Sequence, residues 1–534
     1  MINNPILRSD FPDPDVIRVG DTYYMVSTTM HFMPGAAILR SFDLIHWEIY
    51  TYVYDTLDDT PAQKMEDGKS IYGQGMWAAS LRHYNGAFYV CFAAYDTQKT
   101  YLYQARDIQG PWKKQEIEGF YHDCSLLFDD DGRVYIVYGN TEIYLTELNR
   151  ELTAPKPGGL HRLIARDREG VKLGYEGAHI YKINHRYYLF LIHWLSDGSG
   201  RRVEACLRAD SLEGEFIGKD ILDDDMGYFN MGVAQGGIVD TPDGEWYAVL
   251  FQDHGAVGRV PVLVPMRWED DFPALGIRGK VPAAIETKST RPTHKYEPFV
   301  SSDDFQYFPD GDGKIHLKTA WQWNHAPNNA LWSVDGTQGL LQICSGKLSE
   351  NVTRAANTLT QRTIWPACAA SVEVDGNLLN DGDYAGICAF QGRYGLIALT
   401  KEDGAYYIVM KGRPGEADYT IGRTCDQTPG EEYARIPWPS AMATLKVHAD
   451  FADMRDEAAF YYLEHAEWKQ LGITQPLYFG LDHFVGCRFG VFLYSTQKVG
   501  GRACFKRFIY HETGVQSRSN GNPHNFHEEA ELYV

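Results

Sequence analysis

The chain has 534 residues, with 50 Lys and Arg against 71 Asp and Glu, and a formal net charge of −21. This acidic balance argues against nucleic acid or an anionic membrane as the main partner, because both attract basic surfaces, and it is compatible with a neutral substrate such as a sugar. One hydrophobic core is too small for this length, so two domains are expected.

Cysteine use and the first residues indicate a cellular compartment. Nine scattered cysteines with no CxxC spacing are typical of reduced thiols. The start, MINNP, lacks the basic and apolar regions of a signal peptide, and the longest apolar stretch, near 187–195, is too short to cross a bilayer. We therefore expect a cytoplasmic protein, although a trimmed piece of a secreted protein would look the same. The sequence leaves a homo-oligomer open.

One pattern recurs five times in the first half of the chain: a short apolar strand, a turn rich in Asp, Asn or Gly, and an aromatic-rich strand. Asn85-Gly86 is a type I′ hairpin dipeptide, and Asp131-Gly132 and Asp243-Gly244 are similar. The 45 to 65 residues between copies suit a four-stranded antiparallel blade and favour a five-bladed β-propeller over a large β-sandwich. The copies span 15–27, 80–94, 125–139, 179–194 and 237–252.

The five copies share a register. If they are equivalent blades, the position eleven residues before each aromatic strand lies near the start of a strand that lines the central channel. We therefore predict that three carboxylates, a Trp and an amide converge on one opening. The positions reached by this count are Asp13, Trp77, Asp123, Glu176 and Gln235.

The second half of the chain predicts a separate β domain. A Pro-containing stretch at about 285–300 is typical of an interdomain connection, and strand-like runs such as GAYYIVMKG and CRFGVFLYS follow it. We predict an all-β chain, with the propeller in residues 1–295 and a jelly-roll β-sandwich in 296–534. The last stretch, from about Val515, is polar and is expected to be a surface tail.

Converging carboxylates around a neutral substrate suit acid–base catalysis on an acetal. Glycoside hydrolysis needs a carboxylic acid that protonates the leaving oxygen and a carboxylate that activates water or attacks carbon. A third carboxylate held close keeps the acid protonated near neutral pH. The alternative is that Asp13, between two prolines, and Asp123 only cap turns. The matching register of all three acids favours the catalytic interpretation.

The segments NPILRSDFPDPDVIRVGDTYYMVST, GMWAASLRHYNGAFYV, DCSLLFDDDGRVYIVYG and YEGAHIYKINHRYYL occur in this order along the chain. Together they resemble glycoside hydrolase family 43, which contains β-xylosidases and α-L-arabinofuranosidases. The resemblance covers essentially the whole chain and implies a concanavalin-like form for the C-terminal sandwich. It also implies inverting chemistry, in a single displacement by water.

The resemblance implies a role for each matching residue. Asp13, in the PDP motif, corresponds to the general base, and Glu176, in YEGAH, to the general acid. Asp123, in DCS, corresponds to the carboxylate that modulates the pKa of the acid and orients its partner. Arg259, in GRV, resembles an arginine that binds sugar hydroxyls beside the carboxylates; without the resemblance, a surface arginine is the simpler interpretation.

The same resemblance implies aromatic walls for the sugar pocket. Trp77 resembles a sugar-stacking Trp, with a core aromatic as the alternative. Phe32, in HFMPG, is a candidate wall, although the segment departs by one residue from the commonest form. Phe484, in HFVG, resembles an aromatic that the sandwich inserts toward the active site. Gln235 completes the candidate substrate-binding set.

His254, in QDHG, resembles a histidine that helps to hold a hydrated calcium ion in the propeller axis. Calcium prefers oxygen ligands, so this histidine would act mainly through waters. The alternative is a structural histidine. We expect Ca²⁺ at His254 and no organic cofactor.

Taken together, these features predict an exo-acting β-1,4-xylosidase that releases xylose from the non-reducing end of xylo-oligosaccharides. An α-L-arabinofuranosidase acting on arabinoxylan or xyloglucan side chains is the alternative within the enzyme class, and one enzyme could have both activities. A carbohydrate-binding propeller without catalysis is the non-enzyme alternative. A transferase or phosphorylase lacks support, because no phosphate-binding cluster of basic residues accompanies the acids.

Overall fold

The computed structural model of the chain describes residues 2–168, 171–355, 357–413 and 427–512. These residues form five four-stranded antiparallel sheets, two larger sheets and one two-stranded sheet of the first strand with a strand at 284–285. The predicted propeller followed by a β-sandwich is confirmed. The predicted polar tail from Val515 lies outside the described residues. The eight cysteines within them are free thiols.

The propeller strands follow the chain blade by blade. Blade I is the sheet β2-β3-β5-β6, and blades II, III, IV and V are β7 to β10, β11 to β14, β15 to β18 and β19 to β22. The strands are β1 (Ile2–Asn3), β2 (Asp15–Val19), β3 (Thr22–Ser27), β4 (Phe32–Met33), β5 (Gly35–Ser41), β6 (Glu48–Tyr54), β7 (Met76–Tyr84), β8 (Ala87–Ala94), β9 (Lys99–Ala105), β10 (Lys113–Ile117), β11 (Ser125–Phe128), β12 (Val134–Asn140), β13 (Glu142–Leu148), β14 (His161–Arg166), β15 (Glu176–Ile183), β16 (Arg186–Trp194), β17 (Arg202–Ala209), β18 (Ile217–Leu222), β19 (Ala234–Asp240), β20 (Trp246–Asp253), β21 (Arg259–Glu269), β22 (Phe272–Leu275) and β23 (Ala284–Ile285).

The first strands of the blades form the inner ring. Contacts run from β2 to β7, β11, β15 and β19 and back to β2, so the ring closes. At the turn between β7 and β8, Asn85 (φ 48°) and Gly86 (φ 71°) both adopt positive φ, as a type I′ hairpin requires. Since each inner strand follows the outer strand of the preceding blade, the residues before all five inner strands lie at one end of the propeller.

A buried ion pair fixes the inner strands to one another. Arg82, on β7, donates to the carboxylate of Asp15 on β2 at 2.6 Å, to the Ser125 hydroxyl at 2.8 Å and to the Leu126 carbonyl at 2.9 Å. Asp15 is fully buried and also accepts the Leu81 amide at 2.7 Å. One guanidinium therefore links blades I, II and III, and its carboxylate partner is two residues after Asp13.

The sandwich consists of two facing sheets. One runs in the order β32-β31-β30-β29-β37-β27-β24-β4 and the other in the order β25-β26-β38-β28-β33-β34-β35, with β36 against β34. The strands are β24 (Gln322–Asn324), β25 (Trp332–Asp335), β26 (Leu340–Cys344), β27 (Leu359–Arg362), β28 (Ala367–Asp375), β29 (Asp383–Phe390), β30 (Gly395–Glu402), β31 (Ala405–Gly412), β32 (Glu431–Trp438), β33 (Met442–Asp450), β34 (Glu457–Glu464), β35 (Glu467–Gln470), β36 (Gln475–Pro476), β37 (Arg488–Ser495) and β38 (Arg502–Glu512).

Helix is almost absent from the ranges described. It is limited there to the 3-10 turns Gly255–Val257, Val352–Arg354 and Ala452–Met454. None of the described segments is a helix with the length and hydropathy that a bilayer crossing requires.

The two domains share structure along their seam. The two-residue strand β4, which leaves blade I, pairs with β24 and forms the edge of a sandwich sheet. The segment predicted as a connection packs on blade I, where the Tyr296 hydroxyl accepts the Phe42 amide at 2.9 Å and the Glu297 amide donates to Glu48 at 2.9 Å. Val257 and Val260 of the propeller belong to the buried core of the sandwich. The domains therefore pack as neighbours with a common core.

Candidate active site

Asp13 lies two residues before β2 and is held by an arginine from blade V. The Arg259 Nη1 donates to Asp13 Oδ1 at 2.8 Å, and both side chains are buried. Arg259 Nε and Nη2 are also buried and have no hydrogen-bond partner among the described residues. A buried donor without a partner is costly, so these two nitrogens suit a ligand hydroxyl.

Asp123 and Glu176 precede or begin the inner strands of blades III and IV. His122 links them: its Nδ1 lies 3.5 Å from Asp123 Oδ1, and its Nε2 lies 3.6 Å from Glu176 Oε2. The Asn140 amide donates to Glu176 Oε2 from the end of β12. Two of the predicted carboxylates therefore face one imidazole at the mouth of the channel.

The site is charged and largely withdrawn from water. Burial, together with the negative charges of Glu176 and Asp13, raises the pKa of Asp123 to about 7, against the lowering effect of His122 and Arg259. Arg202, at the start of β17, pairs with Asp253. Burial and the nearby Arg259 lower the pKa of Arg202 to about 10, while the charges of Glu176 and Asp13 oppose that shift. The three predicted carboxylates thus lie within one electrostatic cluster.

Aromatic rings from both domains flank this cluster. The Trp77 ring lies 4.3 Å from Tyr95 and 5.3 Å from Phe484, measured between centroids. Phe484 comes from a sandwich loop, and the Arg259 guanidinium carbon lies 4.4 Å from the centroid of its ring. Trp77 therefore packs near His122 and Phe484 on Arg259, two groups that approach the carboxylates, and both rings are partly exposed.

The shared register holds in three blades and slips by one residue in another. Asp13 (φ 52°) and Asp123 (φ 46°) adopt the left-handed conformation before an inner strand, and Gln235 (φ 55°) adopts it at a bulge in the second residue of β19. In blade IV the left-handed residue is Gly177 (φ 63°), one residue after Glu176, because a bulge shifts the start of β15. Blade II has a bulge at the same point, next to Trp77.

Gln235 packs against the blade that carries the predicted acid. Its side-chain atoms lie 2.5 to 2.7 Å from where a Cβ on Gly177 would be, so only glycine fits there. The Gln235 backbone N–H donates to Glu204 Oε2 at 2.7 Å. Gln235 is 5% exposed, so it borders the site with little free surface.

The structure places Phe32, the candidate wall of the sugar pocket, away from any open surface. Pairing of β4 with β24 draws Phe32 into the domain seam, where it is fully buried. The Arg488 guanidinium carbon lies 3.7 Å from its ring centroid. Phe32 belongs to the buried cluster against which Trp77 and Phe484 pack, so it supports the wall from behind.

The surroundings of His254 do not fit a directly coordinated calcium ion. Its Nε2 is 2.9 Å from Gln252 Oε1, its ring stacks on Tyr228 at 4.1 Å, and Trp365 lies 5.3 Å away. Burial lowers the pKa of His254 to about 3. Calcium prefers several oxygen ligands, whereas these neighbours are mainly aromatic rings. Calcium held through water stays a prediction.

Sequence reasoning missed three polar residues of the site. His122, Asn140 and Arg202 come from three different loops and strands, and no motif or spacing links them to the carboxylates. Only the position of His122, directly before Asp123, was a signal. The resulting arrangement can donate a proton, accept one and bind hydroxyl groups around one small molecule.

Comparison with known proteins gives the family context. A family model described as glycosyl hydrolases family 43 matches residues 2–273, and one described as the β-xylosidase C-terminal concanavalin A-like domain matches residues 313–511. The two matches correspond to the propeller and to the sandwich.

Individual relatives cover nearly the whole chain. A protein named beta-xylosidase from Formosa agariphila is 26% identical and aligns with 96% of this chain and 91% of its own length. Xylosidase/arabinosidase 43B from Humicola insolens is 26% identical over 95% of this chain and 97% of its own length.

A solved structure described as a bifunctional GH43-CE protein of Bacteroides eggerthii superposes with a TM-score of 0.87 and 40% identity over 96% of this chain. This chain spans 64% of that longer protein.

Proposed function

Since this chain belongs to glycosyl hydrolase family 43 and is a glycoside hydrolase, we propose that it is an exo-acting β-1,4-xylosidase that releases xylose from the non-reducing end of xylo-oligosaccharides. The observation that carries the proposal is the cluster at the mouth of the propeller. There Asp13 is held by Arg259 at 2.8 Å, and Asp123 and Glu176 face His122 at 3.5 and 3.6 Å.

The proposed reaction is a single displacement with inversion. Glu176 gives its proton to the glycosidic oxygen while the bond from that oxygen to the anomeric carbon breaks. Asp13 takes a proton from the water that attacks the same carbon on the opposite face. Asp123 raises the free energy of ionised Glu176 by like-charge repulsion and so favours the protonated acid before reaction.

Substrate binding follows from the groups around the carboxylates. The partner-free Nε and Nη2 of Arg259 would bind pentose hydroxyls, and the partly exposed rings of Trp77 and Phe484 offer apolar faces for the sugar. Because Phe484 comes from the sandwich, that domain closes one side of the pocket. A pocket closed on one side accommodates a chain end, which supports exo-action.

An α-L-arabinofuranosidase is the second candidate. It is favoured by the Humicola insolens relative, whose name joins xylosidase and arabinosidase. The two pentoses present similar hydroxyl patterns, so the same pocket could accept both. Rates on paired nitrophenyl xylosides and arabinofuranosides, and then on xylobiose and arabinoxylan, separate the two activities.

The first prediction concerns Glu176→Ala. Loss of the general acid should lower kcat on xylobiose by about 10²- to 10⁴-fold. A nitrophenyl xyloside should suffer far less, because its leaving group hardly needs a proton. The measurement is the rate of hydrolysis of both substrates. NMR of the products identifies the end of the chain that is released and the anomer that forms first.

Glu151→Ala, at an exposed turn of blade III, is the matched control and should change neither rate. Equal loss on both substrates would remove Glu176 from the role of acid.

A further inference from the structure

His122 has a position that the catalytic scheme above does not use. It lies between two carboxylates, 3.5 Å from Asp123 through Nδ1 and 3.6 Å from Glu176 through Nε2. These are ion-pair separations, longer than good hydrogen bonds. The imidazole therefore faces both acids at once.

The ring of His122 is fixed by its neighbours. The Tyr95 hydroxyl lies 2.8 Å from His122 Nδ1, and the Tyr95 ring meets the imidazole edge-on at 5.8 Å. Trp77 packs 5.8 Å away, and the side chain of His122 is 13% exposed. A side chain held in this way keeps Nε2 toward Glu176 and Nδ1 between the Tyr95 hydroxyl and Asp123.

The charge of His122 follows from the same geometry. Burial by itself lowers the pKa of the imidazole, but the carboxylates of Asp123, Glu176 and Asp13 outweigh burial and raise that pKa to about 9. The ring is therefore an imidazolium at neutral pH.

We propose that His122 is a positioning residue of the hydrolysis reaction, which counterbalances Asp123 at Glu176 and stabilises the carboxylate that remains once Glu176 has donated its proton. This inference rests on the proposed function, because it needs Glu176 as the acid. His122 acts through Glu176 and need not touch the sugar.

Two neighbours thus act on Glu176 in opposite directions. The negative charge of Asp123 makes loss of the proton harder, and the positive charge of His122 makes it easier. The other groups at Glu176 are the Asn140 side-chain amide, which donates to it, the charge of Arg202 and the hydroxyl of Tyr95. His122 and Asp123 are the two charged groups that flank Glu176 and differ in sign, so substituting each should produce opposite effects.

The test compares the pH dependence of kcat/KM for the wild type, His122→Gln and Asp123→Asn on an aryl pentoside that the wild type hydrolyses. His122→Gln removes the positive charge, so Glu176 keeps its proton to higher pH and the alkaline limb should move up by about one pH unit. Asp123→Asn removes the negative charge, and the same limb should move down. On xylobiose, His122→Gln should lose more activity than on the aryl substrate, because the acid has become weaker.

Controls separate this effect from a general loss of structure. His185→Gln, at the exposed turn between β15 and β16, should leave the profile unchanged. His122→Asn, a smaller neutral amide, is measured beside His122→Gln, and thermal unfolding shows that each variant is folded.

The possible outcomes distinguish this inference from the proposed function. Opposite movements of the alkaline limb support the inference. An alkaline limb that stays in place or moves down in the folded His122 variants, or that fails to move down in Asp123→Asn, overturns it. A wild type that hydrolyses no pentoside overturns the proposed function instead.

Discussion

Arg259 joins three parts of the molecule at a single residue. Its side chain binds Asp13 at 2.8 Å, its backbone amide donates to Asp10 at 2.9 Å, and its guanidinium carbon lies 4.4 Å from the ring centroid of Phe484. An arginine stacked on an aromatic face keeps its planar donors in a defined direction. The contact with Phe484 therefore orients a proposed substrate-binding group as well as covering the site.

This contact predicts the effect of Phe484→Ala. Loss of the ring removes one wall of the pocket and frees the Arg259 guanidinium. Substrate binding should weaken by about 1 kcal/mol or somewhat more. We expect kcat/KM for xylobiose to fall by about 5- to 20-fold, mainly through KM. Steady-state kinetics on xylobiose and xylotriose measure this change.

Phe308→Ala is the matched control, because Phe308 is an exposed phenylalanine of the same domain, 67% accessible. It should leave both constants unchanged. An unaltered KM in Phe484→Ala would exclude Phe484 from the pocket.

Among the structural elements, the sandwich loop that carries Phe484 is tied to the propeller through one carboxylate. Asp10 accepts the Arg259 amide through Oδ1 at 2.9 Å and the Gly486 amide through Oδ2 at 2.8 Å. Both bonds are buried, so each contributes more than an exposed one would. The loop and the arginine are therefore positioned by the same group.

The elements that the sequence predicted correctly have local signals. Alternating strands and turn dipeptides such as Asn85-Gly86 indicated the hairpins, and their repetition indicated the blades. The common register brought Asp13, Asp123 and Glu176 to one end of the propeller even though bulges shift the inner strands of three blades. Such features depend on neighbouring residues and on repetition, which a sequence displays.

The features that the sequence did not predict depend on long-range contacts. Strand β4 has only two residues and pairs with a strand almost 300 positions later, so nothing local predicted that Phe32 would be buried. His122 and Arg202 join the site because blades III and IV are adjacent in the closed ring. Charge coupling between such residues becomes visible only once the ring is built.

Across the whole molecule, buried neutral histidines lie along the seam between the domains. His31 comes from the propeller and His325 and His483 from the sandwich, with the His31 ring 5.1 Å from His325 and 5.7 Å from His483. Burial lowers the pKa of all three, to about 3 for His483. The seam therefore excludes protonated imidazole.

This arrangement predicts acid sensitivity. In the unfolded chain a histidine takes up its proton near pH 6.5, whereas in the seam it stays neutral, so its contribution to stability is full above about pH 6.5 and is lost as the pH falls. Each such histidine lowers the free energy of unfolding by up to about 1.4 kcal/mol for every pH unit below about pH 6.5. Urea unfolding at pH 7.5, 6.5 and 5.5 measures the slope.

His483→Phe isolates one of these contributions. The phenylalanine ring can stack on Tyr72, as the His483 ring does at 3.9 Å, but it cannot take up a proton. The free energy of unfolding of this variant should fall less steeply below pH 6.5 than that of the wild type. The difference in slope should correspond to about one proton fewer taken up on unfolding. His185→Gln should keep the wild-type slope. Identical slopes for His483→Phe and the wild type would show that His483 is not held neutral by the fold.

The most direct test of the whole account is a crystal structure of Glu176→Gln with xylotriose bound. We predict the terminal xylose against Phe484 and Trp77, with Asp13 and residue 176 on opposite sides of one glycosidic bond and Arg259 on the pentose hydroxyls. A sugar bound elsewhere, or Asp13 and residue 176 on the same side of that bond, would contradict the account.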